Sequence, residues 1–130
     1  MTEAITVLVD RCTMQIHLDA FFTQATLAKQ KRLLGYVFQE PWRNEETIST
    51  LGTYLPQKRD EAWQVLMDAY FRNIKERTST KYRNDLTAKQ KRAAEVANRK
   101  LLNNIKRCRT RYKRWGKIIA HFEMLKAKRR

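Results

Sequence analysis

The chain has 130 residues with 28 Lys/Arg against 13 Asp/Glu, a formal net charge of +15, and 42% of its residues are hydrophobic. Its 3 Gly and 2 Pro are too few for the many turns of an all-β fold, and they favour helices. The length suits a single domain over residues 1–130 with a modest core.

The first predicted element is one long helix over residues 3–34. Thr2 is placed to cap it, and Glu3 lies in the first turn, where a negative charge suits the helix dipole. Gly35 is a typical residue for the position just after a helix. Helical spacing predicts one apolar stripe, with Thr23 among its members: Ile5, Val9, Cys12, Ile16, Ala20, Leu27 and Leu34.

A connector over residues 36–57 follows. Pro41, Gly52 and Pro56 are expected to interrupt regular structure, which leaves room for a short helix over residues 45–51. Apolar residues of this connector either pack on the core, which is the favoured interpretation, or dock onto a partner: Tyr36, Phe38, Trp42, Tyr54 and Leu55.

A second helix is predicted from Pro56 or Gln57 to about residue 79, because Pro suits a first helical turn. The polar stretch 76–85, ERTSTKYRND, is then expected to hold a turn. Apolar residues at three- and four-residue spacing predict the strongest core stripe of the chain: Trp63, Leu66, Met67, Tyr70, Phe71 and Ile74.

The third helix is predicted from Thr87 to about Leu125. Thr87 and Gln90 fit a capping box, in which each side chain bonds the other residue's backbone N–H. Two series of residues, each spaced seven apart, then predict the packed face of this helix, which we call the seam: Asn98, Ile105, Tyr112 and Ile119, with Leu101, Cys108, Trp115 and Phe122. The predicted fold is therefore all-α, a bundle of three long helices with a short fourth helix in the connector.

The charge is distributed very unequally along the chain. Residues 1–65 hold 7 Lys/Arg against 8 Asp/Glu and are near neutral, whereas residues 66–130 hold 21 against 5. Such asymmetry is typical of a site for a polyanion. A surface that serves only solubility would instead mix both signs of charge.

Most of this charge falls on the third helix, on positions that point away from its seam. Only Asp85 and Glu95 supply carboxylates between Asn84 and Phe122. At about 1.5 Å per residue the cations extend over roughly 33 Å, enough to follow several phosphates. These residues are the predicted strip, the candidate nucleic-acid-binding site: Arg92, Arg99, Lys100, Lys106, Arg107, Lys113 and Arg114.

Further cations flank the predicted strip and would widen it if the second and third helices are antiparallel. Tyr82 lies among them and either stacks on a base or is a simple surface residue. The flanking candidates for nucleic-acid binding are Arg72, Lys75, Arg77, Lys81, Arg83, Lys89 and Lys91.

Other functions have little support in the sequence. His17 and His121 are solitary, and neither a CxxC nor an HExxH spacing nor a Gly-rich phosphate loop occurs, so we expect no enzyme, metal, cofactor or small-molecule substrate. Cys12 and Cys108 form no motif and are interpreted as small core residues in a reducing compartment. The N-terminal residues fit neither a signal nor a transit peptide, and no apolar run is long enough to span a membrane. The expected location is the prokaryotic cytosol or nucleoid, without membrane binding.

In length, basicity and predicted helix content, and in the predicted strip from Arg92 to Arg114, the chain resembles the small subunit of class 1 CRISPR effector complexes. The resemblance implies a non-catalytic, sequence-independent hold on the nucleic-acid backbone within a multi-subunit ribonucleoprotein, with the neutral half facing protein neighbours. One alternative is a free-standing DNA-binding or regulatory protein that dimerises through the seam. Another is a protein that inhibits a nucleic-acid enzyme by covering its acidic surface. The choice between RNA and DNA stays open.

Overall fold

A computed structural model describes residues 3–9, 12–39, 43–81 and 87–128, with the backbone only for residues 76–81. The order of elements is β1 (Ala4–Val9), β2 (Cys12–His17), α1 (Leu18–Gln24), α2 (Leu27–Val37), α3 (Glu45–Lys81) and α4 (Ala88–Ala127). The described chain is thus mostly helical, as predicted, but it also contains a small sheet, so the all-α prediction is wrong at the N-terminus.

The first two elements form an antiparallel hairpin in which every residue of β1 faces one of β2. Ile5 and Val7 are buried and Thr6 between them is exposed, which is the two-residue alternation of a strand with one face on a core. The predicted helix over residues 3–34 is therefore wrong in its first half. The prediction that Cys12 is a core residue is also wrong, because β2 is largely exposed and Cys12 with it.

The junction between α1 and α2 divides what the sequence predicted as one helix. Thr26 begins α2 as a cap, its Oγ1 accepting a hydrogen bond from the Lys29 backbone N–H at 3.3 Å. The buried amide of Gln30 donates to the carbonyl oxygens of Phe22 at 3.1 Å and Ala25 at 3.2 Å. These bonds satisfy backbone groups that the end of α1 leaves without helical partners.

Three residues expected to interrupt helices lie inside them instead. Helix α2 continues through Gly35, and α3 passes through both Gly52 and Pro56. Helix α3 begins at Glu45, where the Asn44 side-chain oxygen accepts from the Glu46 backbone N–H at 2.9 Å. The short helix predicted over residues 45–51 and the second helix predicted from residue 56 are therefore parts of one helix.

The predicted connector packs against the core where the structure describes it. Phe38, Tyr54 and Leu55 are buried, and Tyr36 packs half-buried against the same cluster. The favoured interpretation is thus confirmed for these four residues. Trp42, the fifth, lies outside the described residues.

The chain packs as two compact units: unit 1 consists of Met1–Lys58 and Arg114–Arg130, and unit 2 of Arg59–Lys113. Whether residues 1–130 act as the single domain expected from the sequence stays a prediction. The largest fully buried side chains belong to unit 1: Leu18, Leu34, Leu51, Leu55, Ile118 and Phe122. The smaller core of unit 2 consists of Leu66, Ala69, Ile105 and Cys108.

The predicted core stripe of the second helix is only partly buried. Leu66 is buried, but the exposed fractions of Trp63, Phe71 and Ile74 are 46%, 68% and 59%. The face of α3 that is buried in unit 2 lies beside the predicted stripe on the helix surface and shares only Leu66 with it: Ala62, Leu66, Ala69 and Asn73. The larger apolar side chains of the predicted stripe therefore lie next to the buried face and not in it.

Helix α4 begins and packs largely as predicted. The Gln90 N–H donates to Thr87 Oγ1 at 3.2 Å and the Thr87 N–H to Gln90 Oε1 at 2.9 Å, which confirms the capping box. Every residue of the predicted seam is buried or half-buried. Ile118, outside the predicted seam, is also fully buried, because an α-helix of 3.6 residues per turn drifts away from a strict seven-residue repeat.

In unit 1, Asp19 accepts a hydrogen bond from the Tyr54 hydroxyl at 2.7 Å and pairs with Lys58 Nζ at 3.1 Å. The Tyr54 hydrogen bond, and then Lys58, lower the pKa of Asp19 below its ordinary value. A carboxylate with a lowered pKa in the folded state stabilises the fold above its unfolded pKa of about 3.9, and this stabilisation is lost as pH falls through the folded pKa.

Tyr54→Phe should therefore raise the Asp19 pKa and lower the free energy of unfolding at neutral pH by about 1 kcal/mol, a difference that shrinks in acid. Urea unfolding between neutral and acidic pH, with an NMR titration of the carboxyl group, measures both effects. Tyr36→Phe on α2 is the matched control. Parallel pH curves for wild type and Tyr54→Phe would contradict the assigned role of this hydrogen bond.

Candidate nucleic-acid interface

Six of the seven cations in the predicted strip are exposed on α4 within unit 2. They occupy helix positions opposite Ile105 and Cys108, which pack against Leu66 and Ala69 of α3. The packed face therefore fixes which side of α4 is turned to solvent. We call these six residues the α4 strip: Arg92, Arg99, Lys100, Lys106, Arg107 and Lys113.

The charge of the α4 strip is largely uncompensated, because Glu95 is the one carboxylate of α4 within a helical turn of it, three residues from Arg92 and four from Arg99. Over its 40 residues, α4 carries 13 Lys/Arg and only 2 Asp/Glu. Among the described side chains, no ion pair joins a residue of the α4 strip to a carboxylate. The ion pairs that are present involve residues of the first half of α3 and of the chain that precedes it. Neighbouring like charges on a helix surface repel each other, and a bound polyanion relieves that repulsion.

Arg114 departs from the prediction that it faces solvent. It is half-buried in unit 1, and its Nη2 donates to the carbonyl oxygen of Ala25 at 2.6 Å. Its Nε is buried and has no hydrogen-bond partner among the described residues. The drift that buries Ile118 brings Arg114 to the edge of the packed face, so its guanidinium holds the α1–α2 junction.

Arg109 is an exposed cation that the predicted strip did not include. Its Nη2 donates to the Tyr70 hydroxyl, and its guanidinium lies 5.8 Å from the centroid of the Tyr70 ring. On α4 it is three residues from Lys106 and four from Lys113, the spacing of neighbours on a helix surface. The sequence did not indicate this contact with α3, because Arg109 follows the buried Cys108 and belongs to no periodic pattern of cations.

Helices α3 and α4 are antiparallel in unit 2, since Trp63 contacts Tyr112 while the later Tyr70 contacts the earlier Arg109. Four of the flanking cations have exposed side chains: Arg72, Lys75, Lys89 and Lys91. Arg83 and the candidate stacking residue Tyr82 lie outside the described residues. Arg77 and Lys81 lie in α3, but their side chains are outside the described part.

An apolar surface on α3 adjoins this basic one. The exposed Trp63, Phe71 and Ile74 are joined by the half-buried Met67 and Tyr70 at three- and four-residue spacing. The Trp63 ring centroid lies 5.2 Å from that of Tyr112 on α4. We call these five α3 residues the aromatic face.

Comparison with protein families, with curated proteins and with solved structures finds no match to this chain. In the described ranges, no group of three or more His, Cys, Asp or Glu is placed to hold a metal ion. Over the same ranges, no helix combines the length and the apolar character that crossing a bilayer requires.

Proposed function

We propose that this protein binds nucleic acid through its phosphate backbone, without catalysis, and that the α4 strip is the contact surface. The observation that carries the proposal is the row of six exposed cations on one face of α4, none of them paired with a carboxylate among the described residues. Lys and Arg that neutralise phosphates release condensed counterions, and this release drives binding. Arg adds two parallel hydrogen bonds to a phosphate, while Lys supplies a compact charge.

We propose that binding is independent of sequence. Contacts to phosphates position a protein on its ligand but carry no information about the bases. The α4 strip consists entirely of Arg and Lys and extends over roughly 32 Å from Arg92 to Lys113, at 1.5 Å per residue. A recognition helix instead directs a few side chains at base edges from one end of the helix.

We also propose that the protein acts as a subunit of a ribonucleoprotein, as its resemblance to small subunits of class 1 CRISPR effectors implies. The alternative of a regulator that dimerises through the α4 seam has less support. In unit 2 that seam is occupied within the chain, where Ile105 and Cys108 pack against Leu66 and Ala69. Sedimentation of the isolated protein tests this choice, since a monomer supports the subunit and a stable dimer supports the regulator.

The salt dependence of binding tests the proposed contact surface. If each of the six cations neutralises one phosphate, the slope of log affinity against log salt should be about −4 for a single strand and −5 for a duplex. Affinity should then fall several hundred-fold or more between about 0.05 and 0.2 M salt. Fluorescence anisotropy with labelled oligonucleotides measures the slope. A slope shallower than about −2 would mean that the α4 strip is not the binding surface.

A further inference from the structure

We infer that the aromatic face of α3 is a stacking platform for unpaired bases, so that the ligand is a single strand of RNA or DNA. This inference rests on the proposed function, because it adds base contacts to a surface proposed to hold phosphates. Its first support is exposure: Phe71 leaves 68% of its surface in solvent and Trp63 leaves 46%. Exposed apolar side chains that form a contiguous patch, as these do with Met67, Tyr70 and Ile74, mark sites of interaction.

The second support is the continuity between aromatic and basic surfaces. Arg109 lies beside Lys106 and Lys113 on α4, and its guanidinium packs over the Tyr70 ring on α3. Tyr70 in turn is a helix neighbour of Met67 and Ile74 in the aromatic face. Arg109, Lys106 and Lys113 therefore border the aromatic face, so this part of unit 2 presents cations and aromatic side chains together. That combination is found in proteins that bind single strands.

Charge complementarity selects this occupant over a second copy of the chain. Unit 2 carries 16 Lys/Arg against 6 Asp/Glu, so two aromatic faces brought together would also bring together two strongly positive surfaces. A purely apolar partner would remove Arg109 from water without supplying an anion. A single strand supplies a phosphate and a flat base at every nucleotide and thus matches both parts of the surface.

A duplex satisfies only half of this surface. Its bases are stacked and paired inside the helix, so their faces cannot reach aromatic side chains, whereas unpaired bases can lie on any aromatic ring. Trp63 and Phe71 are eight residues apart, or roughly 12 Å along α3, which matches about three to four nucleotides at stacked spacing. The aromatic face therefore predicts preference for strand state and not for sequence.

The test compares three ligands of equal length: a single strand, an abasic strand with the same phosphates, and a duplex. Phe71→Leu in the full chain keeps an apolar side chain but removes the ring, and because Phe71 is exposed the fold should persist. We expect Phe71→Leu to weaken single-strand binding roughly 10-fold and to leave abasic and duplex binding unchanged. Adding Trp63→Leu should deepen the single-strand loss alone. Val65→Ala, at a residue that is 49% exposed on the opposite side of α3, is the matched control and should bind as wild type.

Each contrary result has a distinct meaning. Equal wild-type affinity for all three ligands, unchanged in Phe71→Leu, would overturn the stacking platform and leave the proposed backbone binding intact. Equal loss for single and abasic strands would also overturn it, since the ring would then not act on bases. A wild-type dimer that Phe71→Leu dissociates would assign the aromatic face to a second copy. If the wild-type protein bound none of the three ligands, the proposed function itself would be refuted.

Discussion

Removing the charge from the middle of the α4 strip is expected to lower affinity for a single strand about 200-fold in about 0.15 M salt, if each lost cation neutralised one phosphate. The slope of log affinity against log salt should become shallower by about 2.8. Affinity for every sequence should fall alike, because phosphate contacts are common to all. The variant replaces four exposed residues with Gln: Arg99, Lys100, Lys106 and Arg107.

The fold should survive this change. Gln is a good helix former, the four side chains lie outside the seam, and relief of like-charge repulsion should leave the free energy of unfolding equal or slightly higher. A matched control removes four exposed cations from unit 1, so that the net charge changes equally: Lys29, Lys31, Arg32 and Lys126. An equal loss of nucleic-acid affinity in both variants would mean that the α4 strip acts only through the net charge of the protein and is not a specific contact surface. Normal binding by the strip variant would place the site elsewhere.

The largest effect on stability is expected from Phe122→Ala, which should lower the free energy of unfolding by about 3–5 kcal/mol. Phe122 is 2% exposed in the core of unit 1, with its ring centroid 5.4 Å from that of Phe38. Its ring also faces Gly52 of α3. Truncation would leave a cavity that this close-packed surrounding cannot fully close, in addition to the lost burial of the ring.

Urea unfolding monitored by circular dichroism measures this loss, with Met124→Ala as the control. Met124 lies two residues further along α4 and is 43% exposed, so its truncation should change the free energy of unfolding by less than about 0.5 kcal/mol. Similar small losses at both positions would contradict the core of unit 1 as described. A loss at Phe122 alone would support it.

The sequence predicted α4 best because several independent signals agree there. The Thr87–Gln90 capping box places its start, and the two seven-residue series place its seam. The helix predicted for the N-terminal segment was wrong because the apolar residues of this segment fit a helical period by chance. The strand AITVLV is rich in β-branched residues and alternates at Ile5, Thr6 and Val7, but residues 10 and 11, between the two strands, include neither the Gly nor the Asn that signals a hairpin in a sequence.

Helix α3 was mispredicted because local propensity was given more weight than packing. Pro56 removes a backbone donor, yet the neighbouring Leu51 and Leu55 are fully buried, and tertiary burial supplies most of the stability of a helix in a protein. Trp63 and Phe71 were assigned to the core from spacing alone. Spacing cannot distinguish the apolar stripe that faces a neighbouring helix from one that faces solvent or a ligand.

The candidate site was predictable to the extent that it depends on one helix. The exposure of the α4 strip followed from the seam, because residues opposite a packed face must point to solvent. Arg114 and Arg109 could not be assigned in this way, since each is defined by a contact with another element, to Ala25 in one case and Tyr70 in the other. Such contacts depend on tertiary placement, which the periodicity of a single helix does not contain.

The two units differ in when their residues are complete during translation. Unit 2 is one continuous segment, whereas unit 1 is closed by residues from 114 onwards, through contacts such as that of Arg114 with Ala25, 89 positions earlier. During synthesis, Leu18 and Phe38 must therefore wait for Ile118 and Phe122 until the whole of unit 2 has been translated. The nascent N-terminal segment exposes apolar surface for that interval, so chaperone demand and aggregation of stalled chains should trace to unit 1.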